Sequence, residues 1–151
     1  MLHLINFGQI KIKMIQRIQS IWLLLAAACA FAGFKFSYYS GIKINDTVRH
    51  ELNATSTLPL MIATIAVGVL ALTTIFLFKK RALQLRLCFL GILLEAVIIF
   101  LYYREVKDFI PEQGTYSLTA LLHSIIVLAF VLAARGINND SKLLRESNRL
   151  R

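Results

Sequence analysis

Two side chains in this 151-residue sequence could do proton chemistry, and both sit where apolar runs normally exclude them. Glu95 interrupts CFLGILLEAVIIFLYY, and His123 interrupts YSLTALLHSIIVLAFVLAA. A carboxylate and an imidazole within hydrogen-bond reach can pass a proton between them; the same contact can instead clamp two helices together. An ionisable group at mid-membrane costs at least about 2.5–3.5 kcal/mol on insertion scales, so it faces protein or water and takes a partner. Helical spacing supplies the faces. Cys88, Gly91, Glu95 and Tyr102 form one small and polar stripe on a Leu/Ile-rich helix, and Tyr116, Thr119, Ala120 and His123 form another on the next. Counted from the centres of their runs, Glu95 and His123 lie at nearly the same depth, a helix rising about 1.5 Å per residue. The expectation is a Glu95–His123 pair inside a helix bundle, with Thr64, Tyr102 and Thr119 as neighbours. A clamp is favoured over a relay, because the runs hold no second acid, no helix broken by paired Gly/Pro and no inverted repeat.

Little else in the chain has catalytic spacing. It contains no HExxH, Walker, Ser-His-Asp or paired-carboxylate constellation, so no enzyme, cofactor or catalytic residue is expected. Cys29 and Cys88 lie inside apolar runs with no CxxC or metal-ligand spacing, and read as packing residues rather than as a disulfide or metal site.

The elements that must position the pair are apolar runs at 20–36, 58–78, 85–103 and 116–134, within a chain that is 58% hydrophobic. A helix crossing the hydrocarbon core needs roughly 20 such residues. The net charge of +9 is distributed by segment. Lys11, Lys13 and Arg17 precede the first run; Lys79, Lys80, Arg81 and Arg86 surround the second turn; Arg135, Lys142, Arg145, Arg149 and Arg151 mark the tail. The other two connections balance their bases with acids. Basic residues near span ends are retained in the cytoplasm, which places both termini there. The charge is therefore a topology signal, and with no basic groove bearing interleaved aromatics, nucleic-acid binding is excluded. Tyr38, Tyr39, Tyr102, Tyr103 and Tyr116 fall at the outer boundary and Trp22 at the inner one, as amphipathic rings prefer.

Local signals refine this threading. AFA at Ala30–Ala32 resembles a signal-peptide cleavage site, but the apolar run continues to Phe36, and removal would put the basic turn and basic tail on opposite sides; the run is read as a retained span. Ala26, Ala30, Gly33 and, in the third run, Gly91 are small residues suited to close helix packing, within the chain or across a dimer. The connection 36–57 reads as a solvated connector with turn formers at Gly41, Asn45 and Asp46, and Pro59 suits the first turn of the second helix. Gly136, Asn138 and Asn139 would end the last span, with Asp140 or Ser141 capping a separate amphipathic helix. On that helix Lys142, Arg145, Arg149 and Arg151, with Arg17 at the same level, would meet anionic lipid headgroups or a partner's acidic surface.

MIQRIQSIWLLLAAA from Met14, together with the closing LLRESNRLR, resembles a Bacteroidota family of small four-span membrane proteins, domain of unknown function 4293. The resemblance spans 14–151 and makes Met14 the expected natural start, with 1–13 an extension, 14–135 the transmembrane domain and 136–151 a cytoplasmic tail. It implies a bacterial inner-membrane location and topology, and carries no activity. The combined expectation is an all-α, integral membrane four-helix bundle, up-down-up-down, with a short basic amphipathic C-terminal helix. Its expected role is a non-enzymatic structural or accessory subunit with a protein partner or as a homo-oligomer; a small proton-coupled transporter or sensor using Glu95 and His123 is the alternative.

Overall fold

The computed structural model describes residues 18–44, 46–78 and 80–149, with side chains described as far as Lys142. Its helices are α1 (Ile18–Ala32), α2 (Leu58–Phe76), α3 (Arg81–Val106) and α4 (Leu121–Arg149). Three helical stretches, Leu58–Phe76, Arg81–Val106 and Leu118–Lys142, are long and apolar enough to cross a membrane, and Ile18–Ala32 is a shorter apolar helix.

Each long helix buries one narrow stripe set by the 3.6-residue period. On α3 it is Gln84, Cys88, Gly91, Glu95, Ile98 and Tyr102. On α4 it is His123, Ile126, Phe130, Ala133, Ile137 and Asp140. The remaining faces carry exposed apolar side chains, such as Ile62 and Val69 on α2, Phe89, Leu93 and Phe100 on α3, and Leu121 and Leu128 on α4. Contacts fix the directions. Arg81 meets Asp140, Gly91 meets Phe130 and Glu95 meets His123, so α3 and α4 run antiparallel. Gln84 donates to the Thr74 carbonyl across the short α2–α3 turn at 3.1 Å, making those helices antiparallel neighbours too. Phe31 of α1 lies on Gly68 of α2, and Gln19 of α1 lies on Gly136 of α4.

Pro59 occupies the first turn of α2, where its missing N–H costs nothing. The β-branched hydroxyls along that helix are satisfied internally: Thr64 donates to Leu60 O at 2.8 Å and Thr74 to Leu70 O at 2.6 Å. This back-bonding lets threonine sit in apolar surroundings without an outside partner.

Two expectations are corrected. The connection 36–57, read as a solvated connector, has secondary structure of its own. It forms β1 (Tyr39–Ile42) and β2 (Arg49–Leu52), an antiparallel hairpin, and β3 (Thr115–Tyr116) from the α3–α4 connection adds to it in the order β2-β1-β3. The chain is mostly helical but not all-α. The sheet exists because its inner face has something to bury: Tyr39, Leu52, Ala54 and Phe109 are all nearly inaccessible. Gly41 admits the close approach, since a Cβ there would stand 3.0 Å from the Gly114 Cα. The second correction concerns the tail. Gly136, Asn138 and Asn139 do not end a helix; α4 continues to Arg149. Asp140 is buried rather than capping, and Ser141 donates back to Ile137 O at 2.9 Å. Packing of α1 on Gly136 and pairing of Asp140 with α3 outweigh the roughly 1 kcal/mol that a mid-helix glycine costs.

The small residues of α1 divide. Ala26 and Ala30 are buried within the chain, so this stripe is consumed by internal packing. Gly33 does not join it. It lies past the end of α1, its N–H bonding Ala30 O, and its carbonyl accepts from Ala54 N at 3.1 Å.

Candidate functional site

α3 and α4 bring their two interior polar groups together. Glu95 Oε1 and His123 Nδ1 are 2.5 Å apart, with Glu95 at 0% and His123 at 8% exposure. One hydrogen links them, donated by the imidazole to a carboxylate or by a carboxylic acid to the imidazole. The second carboxyl oxygen, Oε2, is buried without a hydrogen-bond partner.

Aromatic rings close the pair off from the sheet. Tyr102 lies 5.0 Å from the imidazole and Tyr38 5.5 Å from it, edge-on. Tyr38 and Tyr102 stack at 4.3 Å, and Tyr116 meets both Tyr38 and Tyr39 edge to face. Such offset and T-shaped pairs add about 0.5–1.5 kcal/mol each beyond their buried area. The sheet positions these rings: Tyr38 N–H donates to Leu52 O at 2.7 Å, and Ser117 N–H donates to Tyr38 O at 3.0 Å. Burial, and then the neighbouring Tyr116, raises the Tyr38 phenol above its ordinary value.

The expected neighbours separate accordingly. Tyr102 touches the imidazole. Thr64 is buried but its hydroxyl is engaged with Leu60 O. Thr119 is spent on the outer connection, bonding Ser37 O and, at 2.9 Å, Ser117 Oγ. Tyr38, read from sequence only as a boundary aromatic, is the ring that roofs the site. Gly91 does what its size suggests: a Cβ there would stand 2.6 Å from Phe130 Cζ, so glycine lets that ring pack against α3 just below the pair.

A second polar cluster lies at the basic end of the helices. Arg81 Nη1 and Asp140 Oδ2 form an ion pair at 3.2 Å without hydrogen-bond alignment. Asp140 Oδ1 and Gln19 Nε2 are buried and unpartnered, Gln19 lying against Gly136 one turn before Asp140. This cluster was hidden by the turn-former reading of 136–140, although Asp140 continues the 126–130–133–137 stripe by three residues. Of the expected lipid or partner contacts, Lys142 is exposed. Arg17 and Arg151 lie outside the described residues, and so do the side chains of Arg145 and Arg149. Among the described residues no three His, Cys, Asp or Glu side chains gather as metal ligands, and Cys29 and Cys88 are free and buried.

No curated protein matches the chain. Residues 15–150 match the family described as Domain of unknown function (DUF4293). The chain belongs to that family.

Proposed function

We propose, with that membership as premise, that this protein is a multi-pass component of a bacterial inner membrane. In this reading four helices cross up-down-up-down with both termini cytoplasmic, and the protein acts as a non-enzymatic structural or accessory subunit of a membrane complex. The observation that carries it is the inversion of polarity across each helix. Gln19, Gln84, Glu95, His123 and Asp140 lie inside, while large apolar side chains cover the outside, as expected where lipid is the solvent. The Glu95–His123 contact then serves as an interhelical clamp, sealed by Tyr38 and Tyr102. With Ala26 and Ala30 internal, partner contact falls to the outward apolar faces and the basic end. Extraction in a mild detergent followed by size analysis should recover the protein with stable companions or as an oligomer; a clean monomer sinks the subunit reading.

One observation favours a second reading. Glu95 Oε2 is buried and unpartnered beside an imidazole, the arrangement a proton-binding site would use in a small transporter or sensor. Under that reading Glu95→Gln abolishes a proton-dependent phenotype at unchanged membrane abundance.

A further inference from the structure

We infer that the outer groove between α3 and α4 at their basic end is a binding site for one anionic phospholipid, its acyl chain in the groove and its phosphate on Arg135. The inference rests on the membrane reading above and gives it a specific ligand. The groove has a volume of about 420 Å³ and is lined by Leu85, Phe89, Ile92, Val131 and Ala134, with Arg135 and Asn138 at one end. Its walls are apolar along the helices and polar only at that end, which matches the order of a lipid: chain, then headgroup.

The charge at the polar end selects the headgroup. No acid lines the groove. The nearest described carboxylate on α4, Asp140, is buried and turned inward to Arg81. Among the described residues no carboxylate pairs with Arg135, which is exposed beside the amide of Asn138. Arg86 and Lys142 are exposed at the same end of the two helices and add positive field. A guanidinium suits a phosphate better than an ammonium does, because its planar fork donates two parallel N–H bonds. The inward pairing of Arg81 with Asp140 thus leaves Arg135 as the outward cation over the groove.

The test uses the full chain in a zwitterionic detergent, with phosphatidylglycerol and phosphatidylcholine of equal chain length added in competition and retained lipid counted by native mass spectrometry. Wild type should retain one phosphatidylglycerol in preference to phosphatidylcholine. Arg135→Gln should lower that preference about fivefold, corresponding to roughly 1 kcal/mol for one basic residue at such a surface. Val131→Trp, on the exposed groove wall, should lose the bound lipid although Arg135 remains. Lys142→Gln, outside the groove, removes only part of the surrounding positive field and should lower the preference clearly less than Arg135→Gln does. Equal losses from Lys142→Gln and Arg135→Gln would show diffuse surface attraction and overturn the site, as would retention of lipid by Val131→Trp. A carbonate wash of membranes separates the two levels. A protein that stays in the pellet yet shows no phosphatidylglycerol preference overturns the groove alone; one released by the wash overturns the groove and the membrane reading together.

Discussion

At the scale of single residues, the chemistry is concentrated in one contact. Glu95 and His123 hold each other at 2.5 Å with almost no access to solvent, and each is the other's reason to be tolerated in an apolar interior. If the contact is a clamp, its worth is the interhelical polar coupling seen in membrane bundles, about 0.6–1.7 kcal/mol. Glu95→Gln keeps an acceptor for the imidazole N–H and should shift unfolding in detergent by less than about 1 kcal/mol. Glu95→Leu and His123→Leu each remove the contact. Their double variant should be less destabilised than the sum of the singles, by that same coupling of about 0.6–1.7 kcal/mol. Thermal unfolding followed by the helical dichroism signal reads this directly. Full additivity would mean the two groups do not act on each other.

At the scale of elements, the helices were legible and the sheet was not, for a physical reason. A helix buries a stripe whose period is written in consecutive residues, so Cys88, Gly91, Glu95 and Tyr102 declared their face without knowledge of the partner. The sheet depends on residues far apart: β1 pairs β3 through Tyr39 and Tyr116, and neither β1 nor β2, four residues each, alternates strongly enough to announce itself. The tail misled because Gly136 and the asparagines after it carry helix-stop signals that tertiary contacts with Gln19 and Arg81 override. Two predictions belong here. Gly91→Ala places a methyl 2.6 Å from Phe130 Cζ, so a fully buried ring must shift; it should cost about 1–3 kcal/mol in unfolding measurements. Phe130→Leu in the same chain should return part of that loss. In the hairpin, the Asp46 carboxyl is held below the usual carboxylate range by its hydrogen bond to His50, with further help from the Val48 and Thr47 N–H groups. A depressed folded value means the clasp is intact above the ordinary Asp range and is lost as pH falls through the lowered one. The carboxyl carbon resonance of Asp46 should therefore show its protonation step below the ordinary Asp value of about 3.9. Asp46→Asn removes that step, and a carboxyl step at or above the ordinary Asp value in the wild type would contradict the clasp.

At the scale of the whole molecule, the structure arranges two unlike ends, and that asymmetry makes orientation testable. One end carries the sheet, its hairpin tip exposing Ile44 and Val48, and charges of both signs. The other carries Lys80, Arg86, Arg135 and Lys142 on exposed positions, with its one described buried acid neutralised inside by Arg81. Pairing Asp140 inward takes that acid out of the outward field, which among the described residues of that end is left to the bases. The two native cysteines are buried, so single added thiols report without background from Cys29 or Cys88. A membrane-impermeant maleimide should label Val48→Cys in cells whose inner membrane is intact, and Lys142→Cys only after that membrane is opened. The reversed pattern would invert the threading, and labelling of both in intact cells would mean that the sheet end and the basic end share a side. That last outcome would contradict a layout in which the antiparallel helices, joined at the basic end by the α2–α3 turn and at the sheet end by the α3–α4 connection, carry the chain from one face of the bilayer to the other and back.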